Sequence, residues 1–149
     1  MKDLDWSNLS FGYRQTDYNV RCYYRDGKWG EIEVCSDEYL KLHMAATCLH
    51  YGQEAFEGLK AYRCPDGKVR VFRMDENAKR LQSTCRGILM PEVPTEMFEE
   101  MVKKVVRLNQ EWIPTYESML QQADPYRQRI HKHRKSFIWK GQYFELDEF

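Results

Sequence analysis

An α+β fold, an antiparallel sheet with helices packed on one face, is predicted by three features of the 149-residue chain. Two turn signals, Asp26-Gly27 and Pro65-Asp66-Gly67-Lys68, each lie between segments rich in β-branched and aromatic residues, the pattern of a hairpin. Two later segments, from Asp75 to about Gly87 and from Thr95 to Pro114, repeat apolar residues at helical spacing. Hairpins followed by helices, without regular strand-helix alternation, segregate the helices to one side of a sheet.

The elements follow in order. Residues 6–17 mix aromatic, polar and glycine residues without a period and read as an irregular arm lying on the core. Residues 20–24 open the first hairpin, and residues 28–34 return with Trp29 and Ile32 as buried positions. Residues 40–48, rich in alanine and methionine, are helix-capable. From Phe56 to Tyr62 the chain alternates, with Phe56, Gly58, Lys60 and Tyr62 on one side and Glu57, Leu59 and Ala61 on the other. That period predicts a strand, with Gly58 at a bulge or a close approach. Val69, Val71 and Phe72 form the return strand of the second hairpin. Asp75 is the expected N-cap of the first helix, whose apolar stripe is Ala78, Leu81, Cys85, Ile88 and Leu89. Thr95 starts the second helix, with Phe98, Met101, Val102, Val105, Leu108 and Trp112 on one side, and Pro114 ends it. Residues 116–123 read as a short helix, 127–135 as a basic run, and 137–146 as a third hairpin around Lys140-Gly141.

Composition bounds the function. The chain is 42% hydrophobic, 31% charged and 14% aromatic, the make-up of a globular protein. Lys plus Arg balance Asp plus Glu at 23 each, so no global field draws the chain to nucleic acid or an anionic membrane. The five cysteines are widely spaced, without zinc-ligand or redox-pair spacing, and predict the thiols of a cytoplasmic protein. Residues 1–6 contain no secretory apolar run, and no later segment is apolar enough to span a membrane. His43 and His50 have no carboxylate or cysteine at relay or ligand spacing and read as ordinary imidazoles; no metal site is expected.

Several strings carry a resemblance: Leu49-His50-Tyr51-Gly52, Phe56-Glu57-Gly58, Lys60-Ala61-Tyr62, Val71-Phe72-Arg73, Asn77-Ala78-Lys79-Arg80-Leu81 and Trp112-Ile113-Pro114. Together, from about Phe11 to about Ser118, they resemble the branched-chain amino acid aminotransferases, pyridoxal phosphate enzymes of class IV. The resemblance implies that residues 1–118 are the small N-terminal domain of such an enzyme, which transfers the amino group of leucine, isoleucine or valine to 2-oxoglutarate. It implies a homo-oligomer, with Arg80 on the cofactor phosphate, Tyr51 and Phe56 lining the substrate side-chain pocket, and Lys60 as a basic residue near it. Chemistry agrees for Arg80, since a guanidinium fork matches phosphate and keeps its charge; without the resemblance it would read as an exposed helix arginine.

The resemblance also implies that the lysine attaching the cofactor, and the acidic partner of the pyridine nitrogen, come from a large C-terminal domain. Residues 119–149 do not match that domain, so no catalytic residue is assigned and the chain reads as a partial enzyme lacking its catalytic half. That segment is mildly basic, and its string Lys132, Arg134, Phe137, Trp139 and Gln142-Tyr143-Phe144-Glu145-Leu146-Asp147 resembles a hairpin of the polyphosphate- or phosphoinositide-binding barrels in eukaryotic P-loop kinase-like proteins, without a P-loop. Two alternatives follow: a phosphate-ligand module using Arg127, Arg129, Lys132, Arg134 and Lys135, or an inactive fusion fragment.

Overall fold

The computed structural model describes residues 13–115 and residue 117. The described residues divide into two compact units, one holding Gln15–Leu59 and Arg73–Gln110, the other residues 13–14, Lys60–Phe72 and residues 111–115. The predicted third hairpin, the short helix and basic run before it, and the boundary at 118/119 lie outside the described residues.

In the larger unit, β1 (Asn19–Arg21) pairs antiparallel with β4 (Glu33–Cys35), and β2 (Tyr24–Arg25) pairs with β3 (Lys28–Trp29). Asp26 and Gly27 both have positive φ, 51° and 77°, the combination that suits a two-residue hairpin turn. The single hairpin expected from sequence is thus two ladders. Cys22 and Tyr23 on one side face Gly30, Glu31 and Ile32 on the other, so the register slips by one residue between the ladders, as at a bulge. The Gly30 N–H donates to the Tyr23 carbonyl at 2.8 Å across the slip. Trp29 and Ile32, expected to be buried, are half-buried. The Trp29 ring stands edge-on to Tyr24, and its Nε1 donates to the Glu92 carbonyl at 2.9 Å, which ties the hairpin to the segment just before Thr95.

The helix expected over residues 40–48 is displaced to α1, Thr47–Tyr51. His43 accounts for the delay: its Nδ1 accepts from the Ala45 N–H and its carbonyl from the Ala46 N–H, a local turn that competes with helix. Gly52, at φ 61°, closes α1 in the left-handed region.

Helix α2 spans Met74–Gly87 and α3 spans Thr95–Leu108; they pack on each other, and α3 packs on β1. The α2 cap is Arg73, at φ 41°, and not Asp75, which sits inside the first turn and binds Lys79. Ala78 and Cys85 are buried and Leu81 and Ile88 half-buried, as the stripe requires, but Leu89 is exposed. It lies at φ 57°, and this left-handed residue after the helix swings its side chain off the stripe. Helix α3 stops at Asn109, before Pro114, and Gln110–Trp112 continue as a single tighter turn. Asn109 is buried and pairs with Tyr18 as a strand neighbour does: its Oδ1 accepts from the Tyr18 N–H at 3.1 Å, and its Nδ2 donates to the Tyr18 carbonyl and the Val105 carbonyl, each at 2.9 Å.

In the smaller unit, β5 (Ala61–Arg63) pairs antiparallel with β6 (Val69–Val71), and the segment at Thr115 runs parallel to β5. The turn is shaped by Asp66, whose carboxylate accepts from the Lys68 N–H and takes both ends of the buried Arg70 guanidinium at 2.9 and 2.7 Å. Gly67 has φ 80°, with open space where a Cβ would stand. Gly67→Ala should therefore cost backbone strain alone, about 1–2 kcal/mol, read as a lowered urea midpoint; an unchanged midpoint would show that the turn relaxes without penalty.

The fold class is α+β as expected, with three two-stranded antiparallel pairings among the described residues in place of one sheet. No described helix is long and apolar enough to cross a membrane.

Candidate functional site

Residues 53–60 form the approach to β5. The burial of their side chains alternates as the period in the sequence implies, with Ala55, Glu57 and Leu59 turned inward and Phe56, Gly58 and Lys60 outward. The strand expected from Phe56 nevertheless begins only at Ala61. In place of a ladder partner, the Gly58 carbonyl accepts from the Asn77 side chain at 3.2 Å, so among the described residues a helix side chain, and no second strand, holds this backbone.

The inward-facing Glu57 is the centre of the arrangement. Its Oε1 accepts from Arg80 Nε at 2.7 Å; its Oε2 accepts from Arg80 Nη2 at 2.6 Å and from Asn77 Nδ2 at 2.8 Å. Asn77 and Arg80 are three apart on α2 and share a face, which is why one carboxylate reaches both. The burial is unequal: the Glu57 side chain is 6% exposed and that of Arg80 is 65% exposed. The other bidentate pair, Arg70 with Asp66, has the opposite sense, a buried arginine beneath an exposed carboxylate. Arg80 is thus a cation fixed from below and presented to solvent.

The Arg80 hydrogen bonds hold the Glu57 carboxyl below its ordinary value, with Asn77 and the Arg80 charge adding to them against the opposing effect of burial. The sign for stability follows. A carboxyl whose folded pKa is depressed stabilises the fold above its unfolded value, here near 4.5, and loses that contribution as pH falls through the folded pKa. Wild-type melting temperature should therefore fall more steeply below pH 4.5 than that of Glu57→Gln, which has no such proton to take up. Parallel pH profiles would show that the pair contributes nothing to acid stability.

Of the residues expected from sequence, Arg80, Tyr51 and Phe56 all lie in the larger unit and Lys60 opens the smaller one. Residues Tyr51 and Phe56 are 85% and 89% exposed, so their apolar surface is open to solvent. Glu57 and Asn77 were not singled out by the sequence reading. The available signal was a charged side chain sharing the inward side of the alternation with Leu59, and the three-residue spacing of Asn77 and Arg80. The residues of the basic run, Arg127, Arg129, Lys132, Arg134 and Lys135, lie outside the described residues. Among the described residues, no three histidine, cysteine, aspartate or glutamate side chains are grouped to hold a metal ion.

Comparison with known proteins gives no matching family model. Over 118 residues the chain is 52% identical to the branched-chain-amino-acid aminotransferase of Haemophilus influenzae, covering 79% of this chain and 34% of that protein. It is 45% identical to the branched-chain-amino-acid aminotransferase of Helicobacter pylori over 118 residues, 79% of this chain and 35% of that one. It is 37% identical to the transaminase AMT5 of Alternaria alternata over 117 residues, 77% and 31%. The chain spans about a third of the length of the curated relatives it matches.

Proposed function

We propose, on the premise that this chain is related to the branched-chain-amino-acid aminotransferases over 118 of its residues, that it carries the phosphate-holding and substrate-facing part of such an enzyme. In this reading residues 1–118 are the small domain and residues 119–149 a separate segment. The reaction served is amino transfer from leucine, isoleucine or valine to 2-oxoglutarate. Arg80 holds the phosphate of pyridoxal phosphate, Tyr51 and Phe56 offer apolar walls to a branched side chain, and Lys60 is the basic residue of the substrate region. Bound pyridoxal phosphate supplies the electron sink of transamination. The residues of this chain bind and orient. The attaching lysine and the acidic partner of the pyridine nitrogen belong, by the family resemblance, to the part of the relatives that this chain does not match.

The observation that supports the reading is the mount of Arg80, a guanidinium fixed by a 6% exposed carboxylate yet itself 65% exposed. The test is thermal melting with pyridoxal phosphate or pyridoxal, beside a leucine and 2-oxoglutarate assay and intact mass after borohydride reduction. Stabilisation by the phosphorylated form alone, with neither turnover nor a single stoichiometric adduct, is expected. Equal effects of both forms would sink the reading, and stabilisation by polyphosphate instead would move the function to the basic run at residues 127–135. A stoichiometric adduct with turnover would overturn the placing of the attaching lysine.

The same reading places the protein in the cytoplasm as a homo-oligomer. All five cysteines are thiols, which suits a reducing compartment, and Leu40, Leu42, Met44, Leu49, Tyr51 and Phe56 expose apolar surface along one stretch of the larger unit. Light scattering at micromolar concentration should give a mass above the 18.0 kDa of one chain; a sharp monomer would contradict it.

A further inference from the structure

We propose that Glu57, itself held by Asn77, is the positioning residue of Arg80, fixing the guanidinium by its Nε edge so that the outer Nη edge is aimed at an anionic phosphate. This rests on the reading of Arg80 as a phosphate ligand and goes beyond it, because it assigns a role to a negative charge placed beside an anion site.

A guanidinium carries five N–H donors. Glu57 engages the Nε and Nη2 side of Arg80, at 2.7 and 2.6 Å. The outer edge, Nη1 with the second Nη2 hydrogen, is left as a parallel pair of donors on a side chain that is 65% exposed. An arginine on the outer surface of a helix has four rotatable bonds to freeze before it can grip a phosphate. Holding it in place beforehand removes that ordering from the binding step. Glu57 suits the task because its carboxylate is buried and accepts three hydrogen bonds, one of them from Asn77, whose Nδ2 also bonds the Gly58 carbonyl. The carboxylate, its backbone and the helix are therefore one assembly.

The rival role is a plug, in which Glu57 occupies the arginine until phosphate displaces it. Burial argues against this. A carboxylate that is 6% exposed has no solvent to move into, and its withdrawal would leave a charge unpaired in the interior.

The two roles predict opposite signs. Glu57→Gln deletes a negative charge next to the anion, so Coulomb's law alone, or release of a plug, would tighten phosphate binding. Positioning predicts weaker binding, by a few-fold and up to about tenfold, the scale of losing an outer partner that orients a ligating group. The full chain should be titrated calorimetrically with pyridoxine 5′-phosphate, which has no aldehyde to react with lysines, and with pyridoxine. Wild type should prefer the phosphorylated form, Arg80→Ala should lose that preference, and Glu57→Gln should reduce it. If wild type shows no preference, or Arg80→Ala keeps it, the reading of Arg80 fails and takes this inference with it. If Arg80→Ala loses the preference but Glu57→Gln retains or increases it, this inference alone fails. Should Glu57→Gln not fold, wild type still decides the matter through the Arg80 Nε–H resonance. That signal should stay slow to exchange while inorganic phosphate shifts the Nη signals, and its loss on phosphate binding would mean displacement of Glu57 and overturn the proposal.

Discussion

Arg80→Ala should reduce the stabilisation that pyridoxal phosphate gives and should also lower the stability of the ligand-free chain. The two effects have separate causes. For the ligand, the variant loses a charge-assisted fork to phosphate, a kind of bond that contributes about 1.5–3 kcal/mol when well formed. The guanidinium is largely exposed and solvent screens it, so the lower end applies, about a tenfold loss of affinity. For the fold, the variant leaves the buried Glu57 carboxylate with Asn77 as its remaining partner among those that the structure shows, a cost of about 1–3 kcal/mol for an under-satisfied buried group. Arg80→Lys separates the two, because an ammonium restores charge but not the planar two-donor match. Melting curves with and without pyridoxal phosphate give both numbers. The fold effect should be smaller in Arg80→Lys than in Arg80→Ala, while the ligand effect should be impaired in both. If Arg80→Ala keeps the full ligand-dependent rise in melting temperature, Arg80 does not hold the phosphate.

What could be read in the sequence was set by the range of the interactions involved. Hairpin turns are local, so Asp26-Gly27 and the turn at Gly67 were legible, and so were the cores of both helices. The alternation expected from Phe56 was legible as far as Lys60, since period 2 describes a single extended chain. Whether such a chain has a ladder partner is not a property of the chain itself. Here the partner is the Asn77 side chain, which bonds the Gly58 carbonyl from 19 positions away. The slip between the two ladders of the first hairpin is likewise invisible until the register is known on both sides. The ends at Gly87 and Thr95 were legible, but at the other two side-chain propensity named Asp75 and Pro114 where left-handed Arg73 and the bonding of Asn109 decide. Arg80 was named from family resemblance and the chemistry of its side chain. Its partner Glu57 lies 23 positions earlier, a distance at which no local spacing rule operates.

Asn109→Asp should be the most disruptive of the near-isosteric substitutions, although it changes one group of similar size for another. Asn109 is 8% exposed, and its amide donates two hydrogen bonds and accepts one. An ionised aspartate can only accept. The bond from the Tyr18 N–H survives, but the two carbonyls at 2.9 Å, those of Tyr18 and Val105, would face a carboxylate oxygen in place of an N–H. The Tyr18 carbonyl keeps the Thr16 hydroxyl as a donor and the Val105 carbonyl keeps the backbone N–H of residue 109, so the cost rests on the two lost amide bonds and on a charge placed where water is scarce, about 1–3 kcal/mol at neutral pH. A domain of this size has about 5–15 kcal/mol in all. The pH dependence carries a sign of its own. Burial and the facing carbonyls would raise the folded pKa of the new carboxyl above its unfolded value near ~3.9. The deficit should then be smallest below about pH 4, where the protonated acid can again donate to one carbonyl, and should grow as pH rises through the raised folded value. Urea midpoints of wild type and variant at both ends of that range isolate it, because the Glu57 contribution is common to the two proteins and cancels in their difference. Asn109→Leu provides the uncharged control, with a deficit that does not change with pH. A deficit for Asn109→Asp equal at both pH values, or below about 1 kcal/mol, would mean that the pairing of Asn109 with Tyr18 does not fasten the start of the sheet to the end of α3.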